Sequence, residues 1–383
     1  MMKRLTGLRM LALLAPVLIG IVLFEALCRI GDVDFNPSPN WRFHPALGWT
    51  QERSQVYDIV IDGAPVRVEF NRMGFRDVQH PLAKPPGTRR IVVIGDSFSE
   101  AIQVNLEETY FRRLQTLLNQ TGSTRWEIIN LGVGDFGTAQ EWMALQRYGY
   151  QFDPDFVILE IYPLNDICNN SLDLAGVCKS QNDDYRPYLV PSGSRLETTW
   201  ADPTRQWLRS HLVSFGLLEK AWLRGWNRLS RTDPETLQRR RYTALGLEED
   251  PLLLTFAADR DQPPVVSRAW TTTESIIRGM DRELDERGIP WMAFVIPFEW
   301  FVADRWETFS RTRRPVSLVR DYAERRLGKL CTQLGVPSLM LLPVFDRHPD
   351  IFFPSRGGHL NPASHALLAE ALRDKMRQEG WTR

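Results

Sequence analysis

Along most of the chain, apolar residues fall into short, nearly unbroken runs, separated by longer stretches where they recur every three or four positions. The runs at 91–95, 127–131, 156–161, 291–296 and 338–342 read as strands buried on both faces. Between and after them, 107–118, 139–149, 270–287, 316–334 and 362–378 carry the helical period. This alternation predicts an α/β fold, a three-layer sandwich with a five-stranded parallel sheet covered on both faces. In such folds the site lies at the carboxyl ends of the strands.

Two regions depart from the alternation. Residues 29–86 are rich in Pro, Trp and Gly, and within them "VYDIVIDGAPVRVEFN" predicts two strands around an Asp62-Gly63 turn. This juxtamembrane β-rich segment precedes the main domain at 87–383. The other is an insert at about 181–265, where "PTRQWLRSHLVSFGLLEKAWLRGWNRLSR" is amphipathic and helical in pattern. Trp207, Leu218, Trp222 and Trp226 roughly share a face, with Arg209, Lys220, Arg224 and Arg228 among the polar positions. A helical insert packed on the domain is the plain expectation. A cap over the site and a helix resting on a membrane surface are the others.

The N-terminus predicts location. Lys3, Arg4 and Arg9 precede an uncharged apolar run that ends at Phe24 and continues as "EALCRI". Residues 10–28 approach the ~20 needed to cross a bilayer. The basic flank would hold residues 1–9 in the cytoplasm and send the rest outside. A cleaved signal peptide would want small residues after the apolar run, which "FEALCRI" offers poorly. Cys168 and Cys178 flank a short polar loop, "CNNSLDLAGVC", where a disulfide fits an exported domain and two thiols are the alternative. Cys331 lies in a helical pattern and reads as core; Cys28 falls in the membrane segment.

With 47 basic and 47 acidic residues the formal charge is zero, which gives no electrostatic case for nucleic acid. The six histidines are scattered, and no metal-binding spacing occurs, so no metal or cofactor is expected.

The chemistry sits where the strands end. The first strand runs into Gly95-Asp96-Ser97-Phe98, and the second into "NLGVGDFGTAQE". The third leads to "YPLNDICNN", and after the fifth comes "FFPSRGGHLNPASH". Singly, each has a plainer explanation: Ser97 as a helix cap, Gly132, Gly134 and Gly137 as turn residues, Asn165-Asp166 as loop, His359 as a surface histidine. Together, at one edge of a parallel sheet, they offer a hydroxyl, backbone N–H donors, a side-chain amide and an imidazole. Those are the parts of acyl transfer: nucleophile, oxyanion donors and general base.

From about residue 89 to the C-terminus, the insert excepted, the chain resembles the SGNH (GDSL) hydrolase superfamily. "GDSF", "NDICN" and "GHLNPASH" carry the resemblance. With "NRMGFRD" (71–77) and the N-terminal features, it is similar to a membrane-anchored bacterial subgroup often associated with extracellular polysaccharide. The resemblance implies a flavodoxin-like SGNH fold and Ser97 as nucleophile. Ser97 would also donate its N–H to the oxyanion, as would Asn165 through its side chain and Gly134 or Asp135 through a backbone N–H. His359 would be the general base. Two positions depart from the pattern. Asp135 stands where the family commonly has glycine. Gly357 and Arg356 stand where an aspartate usually precedes the histidine. A serine–histidine dyad, Asp346, Asp350 or a backbone carbonyl would then have to suffice, or the chain is weakly active or inactive.

Three functions fit. The first expectation is an acetylesterase of an extracytoplasmic glycan in the bacterial cell envelope, anchored by its N-terminal helix. The second is a polysaccharide O-acetyltransferase fed by a membrane acyltransferase partner. The third is a non-catalytic glycan-binding subunit.

Overall fold

The computed structural model describes residues 15–16, 19–31, 33, 41–120, 124–178, 183–193, 195–229, 234–312, 318–348 and 358–382. Five strands form one parallel sheet: β1 (Thr88–Ile94), β2 (Arg125–Asn130), β3 (Phe156–Ile161), β4 (Trp291–Val295) and β5 (Ser338–Met340). Their spatial order is β2-β1-β3-β4-β5. These are the five strands the apolar runs predict, with ends shifted by two or three residues at most. Every residue of β3 and β4 is buried, as an unbroken apolar run requires when both faces are covered. Helices Tyr110–Gln120 and Pro362–Gln378 pack on one another, and Thr138–Arg147 packs on Pro264–Arg287. The sheet lies in the resulting α/β sandwich.

The strand order decides where a site can form. From β1 the chain steps one way to β2, then returns to place β3 on the other side of β1. The connections leaving β1 and β3 therefore part, opening a crevice at the carboxyl edge. Ser97 follows β1, and Asn165 follows β3.

Outside the sheet, the described residues form three antiparallel hairpins. Val56–Ile61 pairs with Ala64–Glu69 around Asp62 (φ 51°) and Gly63 (φ 80°), the two left-handed residues a primed turn needs. This is the hairpin expected from the sequence. Trp41–His44 with Gly48–Gln51 was not expected. Nor was Pro187–Ser192 with Arg195–Trp200, which opens the insert. Pro187 and Pro191 disguise that strand as loop, because proline cannot donate to a ladder and is confined to edges. The insert is thus part β and part helical, a correction to the all-helical expectation. Its amphipathic stretch is also two helices, Pro203–His211 and Val213–Leu229, broken at Leu212 (φ −128°, ψ 104°).

Residues 19–30 are helical. Of the expected membrane segment 10–28, residues 10–14 and 17–18 lie outside the described residues. Among the described residues no helix is long and apolar enough to cross a membrane. Cys168 and Cys178 are joined in a disulfide. Cys331 is buried in the core, as its helical position predicts.

Candidate active site

Leaving β1, the chain turns into a four-residue helix, Ser97–Glu100. Its cap is Asp96, not Ser97: Asp96 Oδ1 accepts the Phe98 N–H at 2.9 Å. Ser97 is therefore released from the capping role a serine at a strand exit would usually fill. Its Oγ lies 2.8 Å from His359 Nε2. The imidazole stacks obliquely on Phe98 (ring centroids 4.9 Å apart), and Phe98 packs in turn on Tyr162 (4.6 Å). Beyond the histidine, Asn361 accepts the Ser364 N–H at 2.9 Å, with Pro362 at the first helical position, so helix Pro362–Gln378 fixes the far end of the histidine loop. The structure thus brings together Ser97 and His359 across 262 positions of sequence.

Asn165 is in place beside them but engaged: its Nδ2 donates to Asp96 Oδ2 at 2.6 Å. A primary amide has a second N–H, which this bond leaves for another acceptor. The two glycine-loop candidates part company. Gly134 sends its N–H to the buried Glu100 carboxylate and its carbonyl accepts the Trp49 indole N–H at 3.1 Å. Both polar backbone groups of Gly134 are thus committed to the interior. Asp135 has φ 64°, the left-handed conformation that explains why glycine suits the position. Its carboxylate meets Arg186 of the insert at 3.3 Å, and its carbonyl accepts from Asn169 at 3.3 Å. Gly132 is required for a different reason. A Cβ there would stand 2.4 Å from the Ser99 Cβ and 2.8 Å from the Glu100 N, too close for any side chain.

Asp350, Arg356 and Gly357 lie outside the described residues. Asp346 forms an ion pair with Arg320.

Behind Ser97 lies a group of buried acids. Glu160, on β3, accepts the Ser99 hydroxyl at 2.7 Å and the Asp96 N–H at 3.2 Å. Burial first, and then the neighbouring Asp96 charge, push its carboxyl well above the usual range. Asp96 is also raised by burial, but its bonds from Glu160, Phe98 and Asn165 and the nearby His359 pull it back. Of that pair Glu160 is pushed the further up. Asp166 and Glu141 are likewise driven upward by burial, each worsened by a neighbouring acid. Asp166 accepts the Tyr162 N–H at 2.7 Å and so ties the "LND" turn to the end of β3.

Several residues that build this edge carry no catalytic signature in the sequence. Arg76 of "NRMGFRD" is fully buried and donates to the carbonyls of Glu100, Ala101 and Val104, gripping the end of the Ser97 helix. Asp77 of the same motif accepts the Asn130 N–H at the end of β2 at 2.9 Å. The unexpected hairpin at 41–51 supplies Trp49, Gln51, which donates to Glu100, and Trp41, stacked on Trp49 at 5.6 Å. A Cβ on Gly134 would lie 3.5 Å from the Trp41 ring, so that ring borders the glycine loop.

No protein-family model matches the chain, and no curated protein is similar to it in sequence. Among solved structures it is similar to an acetyl xylan esterase, AlAXEase, at TM-score 0.39 and 13% identity, over 74% of this chain and 98% of that one. The lipase/acylhydrolase of Enterococcus faecalis gives 0.39 and 13%, over 76% and 96%. The psychrotrophic esterase EstA from Pseudoalteromonas sp. gives 0.37 and 10%, over 76% and 98%. Likeness at this level says nothing of substrate or mechanism, and the site rests on its own geometry.

Proposed function

We propose that the chain is a serine esterase that removes acyl groups, acetyl first among them, from a glycan outside the cytoplasm. One observation carries the reading: the 2.8 Å contact between Ser97 Oγ and His359 Nε2, on a serine whose helix is capped by another residue. In the proposed reaction His359 takes the Ser97 proton as Oγ attacks the ester carbonyl. The oxyanion forms against backbone N–H groups of Ser97 and Asp135 and the Asn165 amide. His359 then returns the proton to the departing alcohol, leaving Ser97 acylated, and water reverses the sequence to release the acid.

Two features support a sugar substrate and an outside location. Trp41 gives the site border an aromatic face, suited to the apolar side of a pyranose ring. The Cys168–Cys178 disulfide suits an oxidising compartment, in keeping with an anchor at residues 10–28.

The test is acylation. A fluorophosphonate probe should modify Ser97 and no other serine, as located by peptide mass spectrometry, and Ser97→Ala should take no label. Label on a different serine with Ser97 untouched would remove the assignment. Offering an activated acetyl ester with and without oligosaccharide acceptors then separates hydrolysis from transfer to sugar.

A further inference from the structure

The helix at 19–30 is apolar almost all round. Ile19, Ile21, Val22, Leu23, Phe24, Leu27 and Ile30 are exposed; of its polar residues Glu25 is turned to the protein, and Arg29, though half exposed, bonds to it. A helix of that kind is suited to an apolar surrounding rather than to water. The Glu25 carboxylate accepts the N–H groups of Val213 (3.1 Å) and Ser214 (2.9 Å) and the Ser214 hydroxyl (2.6 Å). Arg29 donates to Glu25 at 2.7 Å and to the His211 carbonyl at 2.6 Å. The break at Leu212 leaves the first N–H groups of helix Val213–Leu229 without partners inside that helix, and Glu25 takes two of them. The N-terminal helix is therefore fastened to the start of this helix in the insert.

From that joint an apolar stripe runs on. Leu218 (61% exposed), Ala221, Trp222 (59%) and Gly225 are spaced i, i+3, i+4, i+7, the outward face of helix Val213–Leu229. It starts one turn beyond Ser214. Trp207, on the preceding helix, is 58% exposed and stacks on His211 beside Arg29. A solvent-facing helix would carry polar residues at these positions. Trp222 lies eight residues from Ser214, ~12 Å along the axis, so the whole stripe stays near the foot of the N-terminal helix.

We propose that helix Val213–Leu229 rests on the lipid bilayer, with Leu218 and Trp222, flanked by Trp207, seated in its interfacial layer. The occupant is lipid because the stripe begins where the apolar helix is bolted on, and that helix continues in sequence into the uncharged run from Met10 behind Lys3, Arg4 and Arg9. Tryptophan is the side chain that favours the headgroup boundary. The proposal rests on reading residues 10–28 as a membrane anchor. It implies that the insert fixes the domain's orientation on the membrane rather than merely covering its side.

The test uses the full chain in vesicles of phosphatidylcholine and phosphatidylglycerol. A polarity-sensitive fluorophore is placed at Leu218→Cys, and for control at Thr332→Cys, an exposed position on helix Tyr322–Leu334. Flotation with the vesicles reports anchoring separately. The expected result is flotation of both, with emission at 218 shifted to the blue and quenched by nitroxide lipid while 332 is unchanged. Glu25→Ala should still float but lose much of that shift. Flotation with 218 behaving like 332 would overturn the proposal and leave the anchor standing. Failure to float would overturn the anchor, and the proposal with it. A blue shift at 218 in detergent without lipid would assign the face to a protein contact and overturn the lipid reading.

Discussion

Arg186 reaches from the insert to within 3.3 Å of Asp135, in the loop after β2. The guanidinium is fully buried, lies 5.0 Å from the centre of the Trp49 ring, and also meets Asp183 at 3.3 Å and Gln140. Asp135 is a non-glycine residue held at φ 64°, a conformation that costs a residue with a Cβ ~1 kcal/mol or more. The ion pair offsets that cost and ties a backbone turn beside Ser97 to a segment some fifty residues away.

Removing the cation should therefore harm the loop more than removing the acid. Arg186→Met leaves Asp135 and Asp183 without their buried partner, a loss of ~3 kcal/mol in stability, and should slow acylation of Ser97. Asp135→Gly relieves the backbone and should keep most of the activity. The double variant should recover acylation relative to Arg186→Met alone. Burst kinetics with an activated acetyl ester, beside thermal melts, check this. Equal acylation in the parent and Arg186→Met would mean the latch is only structural.

Asn165→Ala should raise the barrier by ~3 kcal/mol if the amide stabilises the oxyanion, seen in kcat with little change in KM. His359→Ala should abolish labelling of Ser97 at neutral pH. An unchanged kcat in Asn165→Ala would confine that residue to its bond with Asp96.

What could be read in advance follows from where the information lies. The five strands were legible because an apolar run buried on both faces has no other use, and the strand-end residues followed from the parallel order. Ser97 and His359 were visible for the same reason. The supporting shell was not. Arg76, Glu100 and Arg186 act through carbonyls, a carboxylate and a left-handed turn that only tertiary contact brings near. Hairpin 41–51 is too short to show a period, and in the sequence Asp96 and Ser97 compete for the same cap.

The disulfide joins Cys168, in the helix Pro163–Asn169 that bears Asn165, to Cys178 across 10 positions. Closing so short a loop should be worth ~2–3 kcal/mol. Cys168→Ser/Cys178→Ser should melt earlier, and reductant should lower the melting temperature of the parent but not of the variant. No response of the parent to reductant would show that the link is absent in solution.

Two other buried acids should make stability fall as pH rises. Burial lifts the Glu100 carboxyl to about 7 and the Glu324 carboxyl to about 8. Both are harder to ionise folded than unfolded. The stability they contribute is whole below 4.5, the ordinary value, and is lost as pH climbs through 7 and 8, by ~3 kcal/mol or more for each. Glu324 accepts the Leu342 N–H at 2.9 Å, a bond glutamine can keep. Glu324→Gln should flatten the decline between about pH 4.5 and 8 in denaturant titrations. The same slope in parent and variant would contradict the assignment.

Among the described residues, Asp96 is one acid placed to support a positive charge on His359. It is fully buried, lies close enough to His359 for their charges to interact, and accepts from Phe98 and Asn165. A negative charge there favours the imidazolium that forms when Ser97 gives up its proton. Asp96→Asn keeps an oxygen to cap the helix and removes the charge together with the oxygen that accepts the Asn165 amide, so it is compared with Asn165→Ala, which loses that bond but keeps the charge. Without that charge the imidazolium is less stable and the His359 pKa falls, so the acid limb of kcat/KM should move to lower pH, by ~1 unit, while the plateau drops ~10-fold or more. Glu160→Gln mimics the protonated carboxyl and should leave that limb in place. An acid limb unmoved in Asp96→Asn, with the plateau intact, would show that His359 draws its support from elsewhere.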